Sequence, residues 1–128
     1  MAEPLLIDTD VLIDYLRGQV DAVAYLENLN EPVHVSVITQ AELYAGVREG
    51  SERNRLDTLI SVLDILVITP EIARNGGLYR RDYGRSHGVG LADALIAASA
   101  ESCSATLVTL NRKHFPMLNR VVVPYTKH

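Results

Sequence analysis

The chain has 128 residues, of which 48% are hydrophobic and 22% are charged, and its formal net charge is −4 at pH 7. This length predicts one domain covering residues 1–128, and the acidic balance disfavours a protein that coats nucleic acid nonspecifically, because such binding depends on neutralising phosphates. The sequence has no apolar run of about 20 residues and no charged-then-apolar leader, so we expect no membrane span and a cytoplasmic location.

Short strand-like runs alternate with longer helical runs in the first half of the chain. The apolar run at 5–7 ends at Asp8 and is predicted as a strand, and apolar residues at helical spacing from Val11 predict a helix that Gly18 ends. The elements predicted next are a helix at 21–29, a strand at 33–37 and helices at 39–49 and 51–63.

The alternation continues in the second half. Residues 65–68 form a continuous apolar run, which is typical of a strand buried on both faces. Thr69, Pro70 and Glu71 supply a capping hydroxyl, a first-position proline and a first-turn acid, so they predict a helix that runs to about Arg85. The elements predicted next are a flexible loop at 86–90, a helix at 91–102 and strands at 105–108 and 121–123.

This order of elements predicts an α/β fold in which a parallel central sheet is flanked by helices on both faces. In such sheets, sites form outside the carboxyl ends of the strands. Four polar residues fall at or near those ends or at the start of a helix, and we expect them to be neighbours: Asp8, Glu42, Asp93 and Asn111.

Two of these acids have structural interpretations that compete with catalysis. Asp8 and Asp10 could cap the following helix, although an aspartate at the end of a parallel strand favours a functional role for Asp8 and a supporting one for Asp10. Thr39 and Glu42 fit a capping box, in which the glutamate satisfies a backbone donor at the helix start. Taken alone, the capping box is the better interpretation of Glu42.

Asp93 is the only charged residue between Leu91 and Ala98. A helix that is apolar all round is buried, and an uncompensated carboxylate there would cost several kcal/mol. Asp93 therefore needs a partner. A bound cation is favoured over a salt bridge to an arginine.

Two or three carboxylates on one site form an oxygen cage suited to Mg²⁺ or Mn²⁺. Such cages are used for phosphodiester chemistry, in which the metal activates water and stabilises the transition state. No competing nucleophile, zinc-ligand spacing or phosphate-binding glycine loop is present in the sequence.

Two segments are candidates for RNA contacts. Residues 79–87 interleave Tyr79, Tyr83 and several arginines, a mixture that suits phosphate pairing and base stacking but equally describes a solvated helix face. The segment Arg112-Lys113-His114 directly follows Asn111 and is the preferred phosphate-contact candidate, because it is placed at the mouth of the predicted site, with Arg112 and Lys113 as the substrate-binding residues.

The chain resembles the PIN-domain nucleases, and within them it is most similar to the VapC toxins of toxin–antitoxin modules. Four segments carry the resemblance, in the family's order and over nearly the whole chain: residues 6–13, 36–46, 93–98 and 107–115. The resemblance implies a Mg²⁺- or Mn²⁺-dependent endoribonuclease that is a homodimer and is held inactive by a VapB-type antitoxin.

The resemblance also implies roles for individual residues. Asp8 and Asp93 would be the principal metal ligands, and Glu42 a third acid that ligates the metal or holds its water. Asn111 stands where the family often has aspartate, which keeps an oxygen ligand but removes a charge. Asp10 stands where asparagine is common, and its charge would partly offset that loss.

Two alternative functions stay open from the sequence. Asp8 and Asp10 also fit a haloacid-dehalogenase-type phosphatase, with Asp8 as the covalent nucleophile, but the lysine and later acidic pair of that class have no counterparts here. A PIN-fold RNA-binding module without catalysis is the other alternative, which Asn111 favours and the three retained acids oppose.

Overall fold

The fold is built on five parallel strands in the order β3-β2-β1-β4-β5, and the computed structural model describes residues 3–127 of the chain. The strands are β1 (Leu5–Ile7), β2 (Val33–Ser36), β3 (Asp64–Leu66), β4 (Thr106–Val108) and β5 (Val121–Val122). The helices are α1 (Thr9–Leu16), α2 (Val20–Glu27), α3 (Val37–Ala45), α4 (Ser51–Val62), α5 (Pro70–His87) and α6 (Leu91–Ser102), and a 3-10 turn covers Arg112–His114.

Two hydrophobic clusters lie on opposite faces of the sheet. Leu5 and Ile7 of β1 pack with residues of α1, α3 and α4 in the first cluster, including the buried Leu56. Leu6 points to the other face and packs with Ile96 of α6 in the second cluster. Successive strand residues alternate between faces, so helices cover both sides, and the predicted three-layer α/β fold is confirmed.

The strand predicted at 65–68 is the clearest error. The observed strand, β3, pairs only with β2 and so forms an edge of the sheet, and Asp64 is exposed. Val67 lies beyond the strand and is 66% exposed. The expectation of burial on both faces is therefore wrong, because the length of an apolar run does not reveal whether a strand is central or at an edge.

The third helix begins before its predicted start at Thr39. Ser36 ends β2 and caps α3, with its Oγ accepting a hydrogen bond from Ile38 N at 3.1 Å. The helix ends at Ala45 rather than near residue 49, with Gly46 at its C-cap. The other element boundaries differ from the predicted ones by a few residues at most.

Helix α5 continues through Gly76 and Gly77 as predicted and reaches His87, so the predicted loop at 86–90 is confined to residues 88–90. Gly88 ends the helix with a left-handed backbone at φ 65°, a conformation that glycine adopts without steric cost. A Cβ on Gly76 would lie 2.6 Å from Leu95 Cδ2, so Gly76 lets α5 pack closely on α6. No helix among residues 3–127 is long and apolar enough to cross a membrane.

Candidate active site

The switch point of the sheet, where the order of the strands reverses, lies between β1 and β4. The chain moves from β1 to β2 and β3 on one side, then returns to β4 on the other side of β1. Ligands of open parallel sheets bind in the crevice outside the carboxyl ends of the strands at such a point. Asp8 directly follows β1, and Thr109 directly follows β4.

Asp8 is 6% exposed and serves two purposes at this crevice. It is the N-cap of α1, with Oδ1 accepting a hydrogen bond from Thr9 N at 2.8 Å. Its Oδ2 accepts from Thr109 Oγ1 at 2.7 Å. The capping interpretation therefore describes the geometry correctly, but it does not exclude a functional role, since the same side chain lines a cavity beyond the ends of the strands.

Asp10 joins α1 to the segment that leaves β4. Its Oδ2 accepts from Leu110 N at 3.0 Å, and its Oδ1 accepts from Val11 N at 2.8 Å. The Thr109 hydroxyl lies 3.4 Å from the same Oδ2. Asp10 thus fixes the end of β4 beside Asp8, as expected of a supporting residue.

Glu42 contacts the start of α1 and does not form a capping box. Its Oε1 accepts from Thr9 Oγ1 at 2.6 Å, and the same hydroxyl lies 2.9 Å from Thr39 Oγ1. Because Ser36 caps α3, Thr39 and Glu42 lie inside the helix rather than at its start. The capping-box alternative is therefore wrong, and Glu42 is directed to the cavity that Asp8 lines.

Asp93 lies in the first turn of α6, and its partner is a histidine. His114 Nδ1 lies 3.0 Å from Asp93 Oδ2 and 3.0 Å from Asn111 Nδ2. The Asp93 side chain is 27% exposed. Two expectations are corrected here. The Asp93 carboxylate is not fully buried, because the first turn of α6 faces the cavity. Its side-chain partner within the protein is His114 and not an arginine.

The cavity between these residues has a volume of about 220 Å³ and an acidic lining. It is lined by Asp8, Thr9, Asp10, Ile13, Glu42, Asp93, Asn111, His114 and Phe115. Burial raises the pKa of Asp8 from 3.8 to about 7, and the negative charges of Asp10 and Asp93 add to this effect against the hydrogen bonds from Thr109 and Thr9. Burial also raises the pKa of Asp10.

These carboxylates fit a divalent cation held partly by water. No three His, Cys, Asp or Glu side chains within residues 3–127 are arranged so that they could hold a metal ion together. Mg²⁺, however, is commonly bound through one or two carboxylates, several waters and substrate phosphate oxygens. Burial is the main cause of the raised pKa of Asp8, with the negative charge of Asp10 second, and a cation bound beside the carboxylate would favour its ionised form.

Arg112 and Lys113 lie outside the lining of this cavity. Both are exposed in the 3-10 turn, and Arg112 Nη2 donates to Val121 O at 3.2 Å, which directs its guanidinium towards β5. The structure thus brings Asp8, Glu42, Asp93 and Asn111 to one cavity and leaves these two basic residues outside its lining.

Two polar residues of the site, Thr9 and Thr109, were not predicted as site residues, and His114 was predicted as a phosphate contact rather than as the partner of Asp93. Thr109 is fully buried. Its hydroxyl donates a hydrogen bond to Asp8 and accepts one from Asn111 N at 3.1 Å. Its signal in the sequence is a hydroxyl directly after a buried strand. His114 has a weaker signal, because only the 3-10 turn after Asn111 returns it to Asp93.

Comparison with known proteins identifies the family. A family model described as PIN domain matches residues 5–120. The chain is 40% identical to ribonuclease VapC10 of Mycobacterium tuberculosis over 94% of its length and 92% of the relative's, and 42% identical to ribonuclease VapC19 of the same organism over 94% and 98%.

Solved structures give the same result. A chain in the toxin–antitoxin complex from Klebsiella pneumoniae is similar with a TM-score of 0.82 and 30% identity, over 96% of this chain and 99% of that one. The resemblance carried by the four sequence segments is confirmed, and the chain belongs to the PIN domain family, among relatives named ribonuclease VapC.

Proposed function

We propose that the chain is a metal-dependent endoribonuclease and the toxin of a VapBC-type toxin–antitoxin module. The observation that carries the proposal is the convergence of four carboxylates on one cavity at the switch between β1 and β4. The names of its relatives, ribonuclease VapC10 and ribonuclease VapC19, support the choice of RNA as substrate.

Asp8 and Asp93 are the proposed principal ligands of Mg²⁺ or Mn²⁺. The cation would supply Lewis-acid stabilisation of the charge that develops on the phosphate. Asn111 lines the same cavity and offers an amide oxygen in place of a carboxylate, so we expect weaker binding of the cation than an aspartate at this position would give.

The remaining residues position the reacting groups. Hydrolysis forms a bond from a water oxygen to phosphorus and breaks the bond to a ribose oxygen. Glu42 is exposed and anchored through Thr9 at 2.6 Å, which suits a carboxylate that orients the attacking water. Thr109 holds Asp8 in the orientation that faces the cavity. Arg112 and Lys113, which lie outside the lining of the cavity, stay predicted phosphate contacts.

An antitoxin of the VapB type is the proposed protein partner. Solved relatives include complexes described as VapBC2 from Rickettsia felis bound to a promoter DNA fragment and FitAB bound to a DNA fragment, at 26% and 31% identity. We also propose that residues 1–128 form one domain, that two copies form a homodimer and that the protein acts in the cytoplasm, where its RNA substrates are made.

Substitution of Asp93 tests the enzymatic proposal. Asp93→Asn removes a charged oxygen ligand at constant size, so RNA cleavage and growth inhibition should be lost while the thermal unfolding curve is retained. Asp21→Asn changes an exposed aspartate on α2 and should leave cleavage unchanged. A folded Asp93→Asn protein that still cleaves RNA would contradict the assignment of the site.

Direct metal titration and a second substitution separate the alternatives. Calorimetry should detect Mn²⁺ binding to the intact protein and a clear loss in Asp8→Asn. Full RNA affinity without any Mg²⁺ or Mn²⁺ binding would instead indicate a non-catalytic module. Asp10→Asn should reduce RNA cleavage only mildly, since Asp10 bonds to Leu110 N, whereas the same change would abolish a phosphatase that used Asp10 as its acid.

A further inference from the structure

The Asp93 carboxylate is held by fewer hydrogen-bond donors than the other two aspartates of the cavity. Asp8 and Asp10 each accept hydrogen bonds from at least two donors. Within residues 3–127, the one donor within hydrogen-bond distance of the Asp93 side chain is His114, whose Nδ1 lies 3.0 Å from Asp93 Oδ2. The orientation of the Asp93 carboxylate therefore depends on a single contact.

This contact fixes the position of a hydrogen on the His114 ring. A carboxylate can only accept hydrogen bonds, so Nδ1 must carry the hydrogen that it donates to Asp93. The same nitrogen lies 3.0 Å from the side-chain amide of Asn111. A protonated Nδ1 cannot accept a hydrogen bond from an amide nitrogen, so the Asn111 amide must turn its oxygen towards the ring. Both neighbours of Nδ1 are then oxygen acceptors.

The segment that carries His114 is anchored at both ends. At its start, Leu110 N donates a hydrogen bond to Asp10 Oδ2 at 3.0 Å. At its end, Phe115 is buried and belongs to the second hydrophobic cluster, which also contains residues of α6. Between these points, His114 N donates to Asn111 O at 3.1 Å and closes the 3-10 turn. Because backbone and core contacts fix the turn, the imidazole can orient the two side chains that it contacts.

The two oxygens that contact Nδ1 belong to side chains of the acidic cavity. Asp93, Asn111 and His114 all line it. Because each oxygen lies 3.0 Å from the same nitrogen, the oxygens of Asp93 and Asn111 are neighbours. Hydrogen bonds from residues outside the coordination sphere orient metal ligands, and their loss typically weakens metal binding or activity about 10- to 100-fold. The contacts of His114 have the form of such a support.

We propose that His114 is a positioning residue for the cation, and that its Nδ1–H holds the Asp93 carboxylate and the Asn111 amide oxygen in place at the acidic cavity. The proposal rests on the proposed function, in which Asp93 is a principal metal ligand. His114 acts through these two side chains. Its role requires only a hydrogen on Nδ1, which a neutral ring of this tautomer and an imidazolium both supply, so it does not depend on a change in the charge of His114.

Nitrogen-15 NMR of the metal-free protein tests the hydrogen bond itself. A long-range proton–nitrogen correlation spectrum distinguishes a protonated ring nitrogen from an unprotonated one, and the signals that disappear in His114→Asn identify those of His114. The His114 ring should carry its hydrogen on Nδ1. A ring with a bare Nδ1 and a hydrogen on Nε2 would overturn the proposal, because it could not donate to Asp93.

Two substitutions of nearly equal size test the positioning role. The amide nitrogen of asparagine can replace histidine Nδ1, since both are bonded to Cγ, whereas leucine has a similar branched shape and no donor. Calorimetry without RNA should find that His114→Leu binds Mn²⁺ about 10- to 100-fold more weakly than the intact protein, and that His114→Asn restores most of the affinity. Thermal unfolding curves check that both variants fold. His87→Leu changes an exposed histidine on α5 and should leave the Kd for Mn²⁺ unchanged.

A double-substitution cycle tests the link to Asn111. Asn111→Ala should weaken Mn²⁺ binding when His114 is present. The same change should have a much smaller effect in the His114→Leu background, because the amide oxygen is no longer held there. Residues that share one hydrogen-bond network give such non-additive effects. Additive effects of the two substitutions on the Kd would contradict the proposal.

The outcomes separate this proposal from the proposed function. If the intact protein binds Mn²⁺ and a folded His114→Leu protein binds it equally tightly, His114 does not position the ligands, and this proposal alone is overturned. Tighter binding by His114→Leu would also overturn it, since His114 would then compete with the cation for Asp93. If the intact protein binds no Mn²⁺, the metal dependence in the proposed function is refuted, and the positioning role is refuted with it.

Discussion

Replacing Asp8 by asparagine is expected to stabilise the metal-free protein at neutral pH. Burial and the neighbouring carboxylates raise the pKa of Asp8 from 3.8 to about 7. A carboxyl group with a raised pKa in the folded state opposes folding once it ionises, so its cost is full above pH 7, decreases below pH 7 and vanishes below the pKa of the unfolded chain. The free energy of unfolding should therefore increase as the pH falls from about 8 to about 5.5.

The magnitude follows from the pKa values. Since a tenfold change in proton affinity corresponds to about 1.4 kcal/mol, the rise from 3.8 to about 7 costs the ionised folded state at most about 4 kcal/mol. About half of that cost is relieved between pH 8 and pH 5.5. Asparagine has the same size and can keep both hydrogen bonds of Asp8, because the Thr109 hydroxyl can accept as well as donate.

Urea denaturation followed by circular dichroism in EDTA measures this effect at both pH values. Asp8→Asn should raise the free energy of unfolding by about 2 kcal/mol or more at pH 8 and by clearly less at pH 5.5. Asp57→Asn is the control of opposite sign, since the hydrogen bond from Tyr44 and the pairing with Arg53 lower the pKa of Asp57. If Asp8→Asn destabilises the protein at pH 8, or if its effect does not change with pH, the electrostatic interpretation of the cavity is wrong.

Three further substitutions test the framework around the site. Thr109→Val removes the hydroxyl that bonds to Asp8 and Asn111, so it should cost about 1–3 kcal/mol in urea denaturation and lower kcat for RNA cleavage at least about tenfold; unchanged kcat would exclude a positioning role. Tyr125→Phe removes the donor to the buried Asp14 at 2.8 Å and should lower the free energy of unfolding by about 1–3 kcal/mol, which a chemical denaturation curve checks. Leu56→Ala should lower the free energy of unfolding by about 2–5 kcal/mol, because Leu56 is 1% exposed. A loss below about 1 kcal/mol in the same measurement would mean that neighbouring residues fill the space left by the leucine.

Part of the candidate site was predictable because its signals are local. Asp8 follows an apolar strand, and Asp93 interrupts an apolar helix, so each is visible within a few residues of sequence. Glu42 was not distinguishable locally, since the choice between capping box and site residue depends on whether Ser36 or Thr39 caps α3. The residue that caps α3 depends on where β2 ends. Strand β2 ends at Ser36, which is the last of its residues to pair with β3.

His114 and Thr109 show where local signals fail. Thr109 bonds to Asp8 across 101 residues of sequence, and His114 contacts Asp93 across 21. Neither contact can be read from spacing, because the first depends on β4 lying beside β1 and the second on how the turn after β4 returns to the start of α6. The partner of Asp93 was therefore predicted as a cation or an arginine, and the structure adds an imidazole.

The alternation of strand and helix periods in the sequence by itself determined the parallel sheet, the helices on both faces and the strand-end position of Asp8, because hydrophobic periodicity is a property of short segments. Only the tertiary structure decided the strand order. That order makes β3 an edge strand, sets the switch between β1 and β4, and gathers the four carboxylates around one cavity. The physical reason is that strand pairing and burial depend on contacts between residues far apart in the sequence, on both faces of the sheet. Each helix or strand, by contrast, is specified by its own residues.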